Sequence, residues 1–255
     1  MAFYQEFNRF YDDIFPVKDG KVEFLKDSFT GLPDGASLLD IGCGTGGYTV
    51  KMKQEGYNPV GIDYEMAMLE RAREKTAKED LSIEYKKLDM RDLDLFYSKP
   101  YFYGVYSLGN VMVHLSNEQE ISTMVKKINR VMHGGGKLVI QIVNYDRILD
   151  NEIDRLPTIT NEEAGVEFIR HYNCKDDGKV DFETELIVDK GTKDEEKYRN
   201  SVPLYPLRSG DFISLLEEHG FAEIESFGDF QGGEFKPGES FPLIIRATKE
   251  GGNVI

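Results

Sequence analysis

Leu38-Leu39-Asp40-Ile41-Gly42-Cys43-Gly44-Thr45-Gly46-Gly47 decides the fold. An apolar run broken by a single acid passes directly into a cluster of glycines. This is the pattern of a buried parallel strand turning sharply into a helix. Gly42 and Gly44 have no Cβ, so the chain can turn tightly there and lie close to a bound molecule. The glycines alone are ambiguous, because Gly42, Gly44 and Gly47 also satisfy the dinucleotide fingerprint G-x-G-x-x-G. Asp40 speaks against that alternative. A carboxylate at the end of the strand repels a pyrophosphate and suits a ligand carrying a cationic group.

Two further strand ends carry acids. Pro59-Val60-Gly61-Ile62-Asp63 ends in one about 20 residues after the first, the place where an acid accepts both hydroxyls of a ribose. Tyr64 follows it directly and is assigned to the same site. Ser82 to Leu88 is a third candidate strand, closed by Asp89-Met90, where a carboxylate and an adjacent N–H can take the amino edge and ring nitrogen of adenine. With the acid-x-G-x-G-x-G spacing of Asp40, Gly42, Gly44 and Gly46, residues 36 to 145 resemble the class I S-adenosylmethionine-dependent methyltransferases. The amino group and sulfonium of S-adenosylmethionine are both cationic, in keeping with Asp40. Leu108 and His114, after the fourth strand, complete the expected cofactor set, and S-adenosylhomocysteine is the expected product.

Strands and helices alternate through the chain, as in a doubly wound parallel sheet. A fourth strand, Tyr103–Leu108, precedes a helix capped by Ser116 or Asn117, with Ile121, Met124, Val125, Ile128 and Met132 at helical spacing. Gly134-Gly135-Gly136 is expected to stop that helix, and Lys137–Val143 to form a fifth buried strand. Residues 147–205 break the rhythm. Val180, Phe182, Thr184, Leu186 and Val188 alternate with mostly polar neighbours. Val166–Tyr172 and Tyr198–Val202 read as partner strands, with turns at Asp176-Asp177-Gly178 and Lys190–Glu196. A helix over Arg208–His219 and two closing strands follow.

The expected architecture is thus α/β: a Rossmann-like, doubly wound seven-stranded sheet with its last strand antiparallel, plus an inserted antiparallel β-sheet cap. A single domain, 1–255, is divided into a cofactor-binding core with an N-terminal helix over 1–145, the cap over 147–205, and the remainder of the core sheet over 206–255. An insertion after the fifth strand lies above the strand ends, where ligands bind in open α/β sheets.

Composition bounds the partners. The 255 residues carry 46 acids against 31 bases, a net charge of −15. That balance repels phosphate backbones, so a nucleic-acid partner is not expected. No run approaches the ~20 apolar residues that cross a membrane, and the first residues do not read as a signal peptide. A cytoplasmic protein is expected. The two cysteines and four histidines are scattered, so no metal site is expected.

A covered pocket suits a small-molecule substrate. Asn144-Tyr145-Asp146, Leu204-Tyr205-Pro206, Gly228-Asp229-Phe230 and Lys236-Pro237-Gly238 are similar to runs of the glycine N-methyltransferases. That resemblance implies transfer to an amine nitrogen, of an amino acid or a similar compound. Aminosugar N-methyltransferases share the layout. The carboxylate-gripping arginine of the glycine enzymes has two candidates, Arg170 and Arg208. Methyl transfer is an in-line displacement at an already activated carbon, so alignment and exclusion of water are the main tasks. Asn144 is the candidate to orient the amine. Tyr11, in the aromatic run Phe7 to Phe15, is the candidate to cap the cofactor or approach the transferred methyl; packing on the core is the other role open to that run. His171, Tyr172, Tyr205 and Arg208 are the candidate substrate contacts, and strand alternation sends only one of His171 and Tyr172 toward the pocket. Transfer to oxygen or carbon of a phenol, quinone precursor or carboxylate, a non-catalytic cofactor binder, and a nicotinamide dehydrogenase are the alternatives. Oligomeric state is not legible.

Overall fold

The structure, a computed structural model, describes residues 2–175 and 178–251. Three helices lead in: α1 (Ala2–Arg9), α2 (Tyr11–Ile14) and α3 (Asp19–Ser28). Alternation follows through β1 (Ser37–Ile41), α4 (Gly47–Gln54), β2 (Asn58–Asp63), α5 (Met66–Lys78), β3 (Glu84–Lys87), α6 (Leu93–Phe96), β4 (Phe102–Ser107), α7 (Glu118–Val131) and β5 (Met132–Val143). After a short α8 (Tyr145–Asp150) come four strands, β6 (Arg155–Asn161), β7 (Val166–Cys174), β8 (Val180–Val188) and β9 (Glu196–Leu204). Helix α9 (Ser209–Glu218) and strands β10 (Phe221–Phe227) and β11 (Pro242–Lys249) close the fold.

The main sheet has seven strands in the order β10-β11-β5-β4-β1-β2-β3. β1 pairs in parallel with both β2 and β4, whereas β11 runs antiparallel to β5 and β10. The order reverses beside β1, so the carboxyl ends of β1 and β4 flank the crevice where open α/β sheets bind ligands. β1 is buried along Leu38–Ile41, and its apolar side chains reach opposite faces of the sheet: Leu39 and Ile41 join one cluster with α7, Leu38 the other with α3. α7 buries Ile121, Met124, Val125, Ile128 and Val131 completely or nearly so, each worth roughly 2 kcal/mol in transfer free energy. Asn117 caps it, its side chain accepting from Glu120 N at 2.9 Å.

Two expectations are corrected. The helix ends at Val131, before the glycines, and Gly134–Gly136 lie inside β5. The ladder steps from Phe102 opposite Met132 to Gly104 opposite Lys137, so the glycines form a bulge. The cap has one strand more than the sequence pattern revealed: β6 is an edge strand of the sheet β6-β7-β8-β9. Its Pro157 hides it from a pattern search and is tolerated because an edge need not donate every N–H. The Asp176-Asp177 part of the expected turn lies outside the described residues.

Candidate active site

The loop after β1 is built on left-handed glycines. Gly42 and Gly44 have φ of 72° and 54°, values that side chains on an L-residue resist. A Cβ at Gly42 would lie 2.5 Å from Val111, and one at Gly44 would lie 3.3 Å from the Tyr11 hydroxyl. Gly46 stands just before α4, and there the Tyr85 hydroxyl would meet a Cβ at 2.6 Å. Asp63, at the end of β2, holds the loop: one carboxylate oxygen accepts from Gly44 N at 2.8 Å and the other from Glu65 N at 2.9 Å. Each oxygen keeps a lone pair for another donor. Burial raises the Asp63 pKa, against the lowering effect of those N–H groups.

Asp40 is more deeply placed than an open strand end suggests. It is buried and accepts from Thr49 Oγ1 at 2.6 Å. Burial pushes its carboxyl up to about 7, with Thr49 pulling the other way and Asp63 adding repulsion. A second acid and a desolvated carboxylate without a cationic partner together make a place that favours positive charge.

The N-terminal segment closes this site from one side. The Tyr11 ring lies over Gly44, and burial, then Asp63, Asp12 and Asp40, raise its phenol pKa, so the hydroxyl stays protonated. Asp12 accepts from Thr45 Oγ1 at 2.6 Å and Lys75 Nζ at 2.9 Å, tying the segment to the loop and to α5. Phe7 and Phe15 pack against Phe168 of β7 at 5.3 and 5.8 Å. The aromatic run therefore does both things open to it: it packs, and it covers the glycine loop.

At the third strand end, Asp89 is engaged by Arg91, which donates from its backbone N at 2.9 Å and from its guanidinium at 2.6 Å. The guanidinium hydrogen bond holds the Asp89 carboxyl below its ordinary value. Met90 begins the turn beside it. Tyr64, next in sequence to Asp63, is 63% exposed.

The cap supplies the opposite wall. On β7, Phe168, Arg170 and Tyr172 alternate onto one face. Phe168 touches Phe7 and Phe15, whereas Tyr172 meets Tyr145, just beyond β5, edge-on with ring centroids 6.1 Å apart. Arg170 stands between these contacts. Its Nη2 donates to Pro157 O at 2.6 Å, while its buried Nε and the buried Tyr172 hydroxyl have no hydrogen-bond partner. Burial pushes Tyr172 up to about 12, with Arg170 lowering it, and burial pulls Arg170 below its ordinary value. Neither shift changes their state near neutrality, so Tyr172 is a neutral donor and Arg170 a cation. Below them, Asn110 has a left-handed φ of 72°. Its Oδ1 accepts from Val143 N at 2.9 Å and its Nδ2 donates to Tyr145 Oη at 3.1 Å. Nothing in the sequence pattern singled out Asn110 beyond its place in a Gly-Asn pair after β4.

Several expected contacts lie elsewhere, each for a visible reason. Asn144 is fully buried; its Oδ1 caps α8 by accepting from Arg147 N at 3.2 Å, and its Nδ2 donates to Pro237 O and Ser240 O at 2.8 Å each. Its amide is committed to backbone, which corrects the expectation that it orients an amine. Arg208 is paired with Asp146 and Asp150 at 3.3 and 2.8 Å, so it is no free carboxylate clamp. His171 falls on the face of β7 opposite Tyr172, paired across the sheet with Arg155 and Glu183. His114 is exposed on a short 3-10 turn, and the residue that reaches the glycine loop from there is Val111. Leu108 packs into the α3-side core. Tyr205 binds Val113 O through its backbone N at 2.9 Å and sits near Glu118 and Asp211, at the junction of cap and core.

Comparison with known proteins agrees with this architecture. Residues 38–136 match the family described as "Methyltransferase domain". A glycine/sarcosine N-methyltransferase of Aphanothece halophytica is 28% identical over 202 residues, covering 76% of this chain and 69% of that protein. An S-adenosylmethionine-dependent methyltransferase from Clostridium acetobutylicum superposes with a TM-score of 0.81 at 14% identity, covering 97% of this chain and 99% of that one. CalS10 of Micromonospora echinaspora, an amino pentose methyltransferase solved with S-adenosylmethionine bound, gives 0.68 at 20% identity, covering 91% of this chain and 90% of its own. Residues 38–136 thus form a methyltransferase domain, and the chain as a whole has the fold of an S-adenosylmethionine-dependent methyltransferase. Within that class it resembles the glycine N-methyltransferases.

The residues present fit that cofactor. Asp63 retains acceptor capacity on both oxygens, and Asp40 is an uncompensated buried acid beside the left-handed glycines of the loop, against which Val111, Tyr11 and Tyr85 pack. Among the described residues no helix is long and apolar enough to cross a membrane, and no cluster of three His, Cys, Asp or Glu side chains offers a metal site.

Proposed function

We propose that this methyltransferase acts on the amine nitrogen of a small molecule bearing a carboxylate, an amino acid or a close relative. The observation that carries this reading is Arg170, a half-buried guanidinium whose Nε has no partner, beside the unpartnered Tyr172 hydroxyl. A desolvated cation and a neutral O–H donor form a ready receptor for a planar anion. The resemblance to glycine/sarcosine N-methyltransferases supports the same substrate class.

The loop glycines, Asp40, Asp63 and Asp89 would hold the cofactor, which supplies an electrophilic methyl on a sulfonium. The chain's own residues then have three tasks. Arg170 and Tyr172 fix the carboxylate, which restricts where the amine lies. Tyr11 and the aromatic cluster with Phe7, Phe15 and Phe168 exclude water, raising the effective strength of every contact inside. Asn144 caps α8 through Arg147 N and ties that end to the backbone of Pro237 and Ser240, which positions Tyr145. With no histidine among the described residues placed against Arg170 and Tyr172 as a base, the amine would react as its neutral free base, and the methylammonium so formed would release one proton to solvent.

Release of S-adenosylhomocysteine with separate pools of amino acids, aminosugars, simple amines and phenols tests this reading, with mass analysis locating the new methyl. Turnover confined to the amino-acid pool and an N-methyl product are expected. Turnover of aminosugars or phenols alone would overturn the carboxylate assignment.

A further inference from the structure

The face of the N-terminal segment that carries Tyr11 buries one more polar group. Asn8 is 7% exposed, and its Oδ1 has no hydrogen-bond partner. Helical spacing places residues three and four apart on one face, so Asn8 shares a face with Tyr11 and Asp12. The path is helical across the junction of α1 and α2: Phe10 N donates to Glu6 O at 3.2 Å, Ile14 N to Phe10 O at 3.0 Å, and the Phe7 and Tyr11 rings meet at 5.6 Å one turn apart.

The neighbours of that face fix its direction. Asp12 meets Lys75, and the carbonyl of Arg9 accepts from Arg71 Nη1 at 3.1 Å. The segment therefore runs alongside α5 in the same sense. Stepping back from Asp12 toward Asn8 moves from Lys75 past Arg71 toward the start of α5 at Met66, just after Asp63. That direction leads from the Asp12 end of the segment, through Asn8, toward the end of the site where Asp63 stands, and the Asn8 carbonyl lacks a donor.

We propose that Asn8 Oδ1 is a further cofactor-binding acceptor, taking a hydrogen bond from one ribose hydroxyl of S-adenosylmethionine while Asp63 takes the other. A buried carbonyl left without a donor is costly in the free protein, and a hydroxyl arriving with the ligand removes that cost. The N-terminal segment is then more than a cover: it reads the sugar. Asn8 touches neither the transferred methyl nor the amine, so its effect falls on affinity and not on the chemical step.

Calorimetric titration of the full chain with S-adenosylhomocysteine and its 2′-deoxy and 3′-deoxy analogues tests this, for wild type, Asn8→Ala and Asn8→Leu. Both variants are expected to bind S-adenosylhomocysteine about three- to tenfold more weakly. One deoxy analogue is expected to bind wild type and variants alike, because its missing hydroxyl is the partner of Asn8. In the ligand-free protein Asn8→Leu is expected to leave the melting temperature unchanged or higher, since it removes an unpaired buried acceptor. Unchanged affinity in both variants would overturn the assignment. So would equal weakening for both deoxy analogues, or a fall in melting temperature in both variants without the analogue-specific pattern, which marks a purely structural asparagine.

Discussion

Asp40→Asn isolates the electrostatic cost of the cofactor site. Asn keeps an acceptor for Thr49 Oγ1, which sits 2.6 Å from the carboxylate, and removes only the charge. Burial raises the Asp40 carboxyl from 3.8 to about 7 in the folded protein. The folded state therefore prefers the protonated acid. Below the unfolded pKa both states are protonated and the charge costs nothing. As pH rises from about 4 to about 7 the unfolded chain ionises freely while the folded one resists, and stability is lost. Above about 7 the full penalty applies, about 4 kcal/mol at about 1.4 kcal/mol per pKa unit. Urea unfolding of the ligand-free wild type and variant across pH 5 to 8 reads the difference. The advantage of Asp40→Asn should grow by about 2–3 kcal/mol over that range, other titrations cancelling between the two proteins. The same variant should bind the cationic cofactor more weakly at pH 8. A stability difference independent of pH would refute the buried, uncompensated carboxylate.

Four other outcomes follow from the geometry. Gly44→Ala introduces a Cβ 3.3 Å from the Tyr11 hydroxyl at a φ of 54°, and should cost roughly 1–3 kcal/mol of stability with weaker cofactor binding, read by melting and calorimetry. Asn144→Ala removes three hydrogen bonds to backbone and leaves buried groups unpaired, so it should cost about 2–4 kcal/mol in urea titration; a stable variant with selectively lost turnover would restore Asn144 to the catalytic centre. Arg170→Lys keeps a charge but loses the planar fork, and should raise KM for the carboxylate substrate about tenfold or more with cofactor affinity unchanged. With the proposed neutral amine as nucleophile, kcat/KM should rise with pH through the range where the free amine forms, and a profile falling in that range would point to a protonated group in the reaction.

The core was legible because its signals are local. Asp40, the glycine loop and Asp63 sit at strand ends, and strand ends follow from apolar runs bounded by turn residues. The apolar period of α7 and the alternation of β8 were equally direct. What escaped depends on pairing. β6 carries Pro157 and exists because β7 offers it a partner. The bulge at Gly134–Gly136 depends on the register of β4 against β5. Side-chain commitments were invisible for the same reason: Asn144 has the right chemistry and the right strand end, but Pro237 and Ser240, far along the chain, already occupy its amide. Asp146 and Asp150 do the same to Arg208, leaving Arg170 as the one of the two candidate arginines with no acid partner among the described residues. Asn110 was hidden because its role rests on a left-handed backbone and a bond to Tyr145.

The measurement closest to the central claim compares an amino acid with the amine that lacks its carboxylate, in wild type and in Arg170→Ala. Initial rates of S-adenosylhomocysteine release give kcat/KM for each of the four combinations. A charged hydrogen-bonded contact is worth about 1.5–3 kcal/mol, or roughly 10–150-fold in rate. Wild type is expected to prefer the amino acid by at least that factor, and Arg170→Ala to erase the preference while turning over the simple amine at the wild-type rate. Equal turnover of both substrates by wild type, or a preference that survives Arg170→Ala, would contradict the carboxylate assignment.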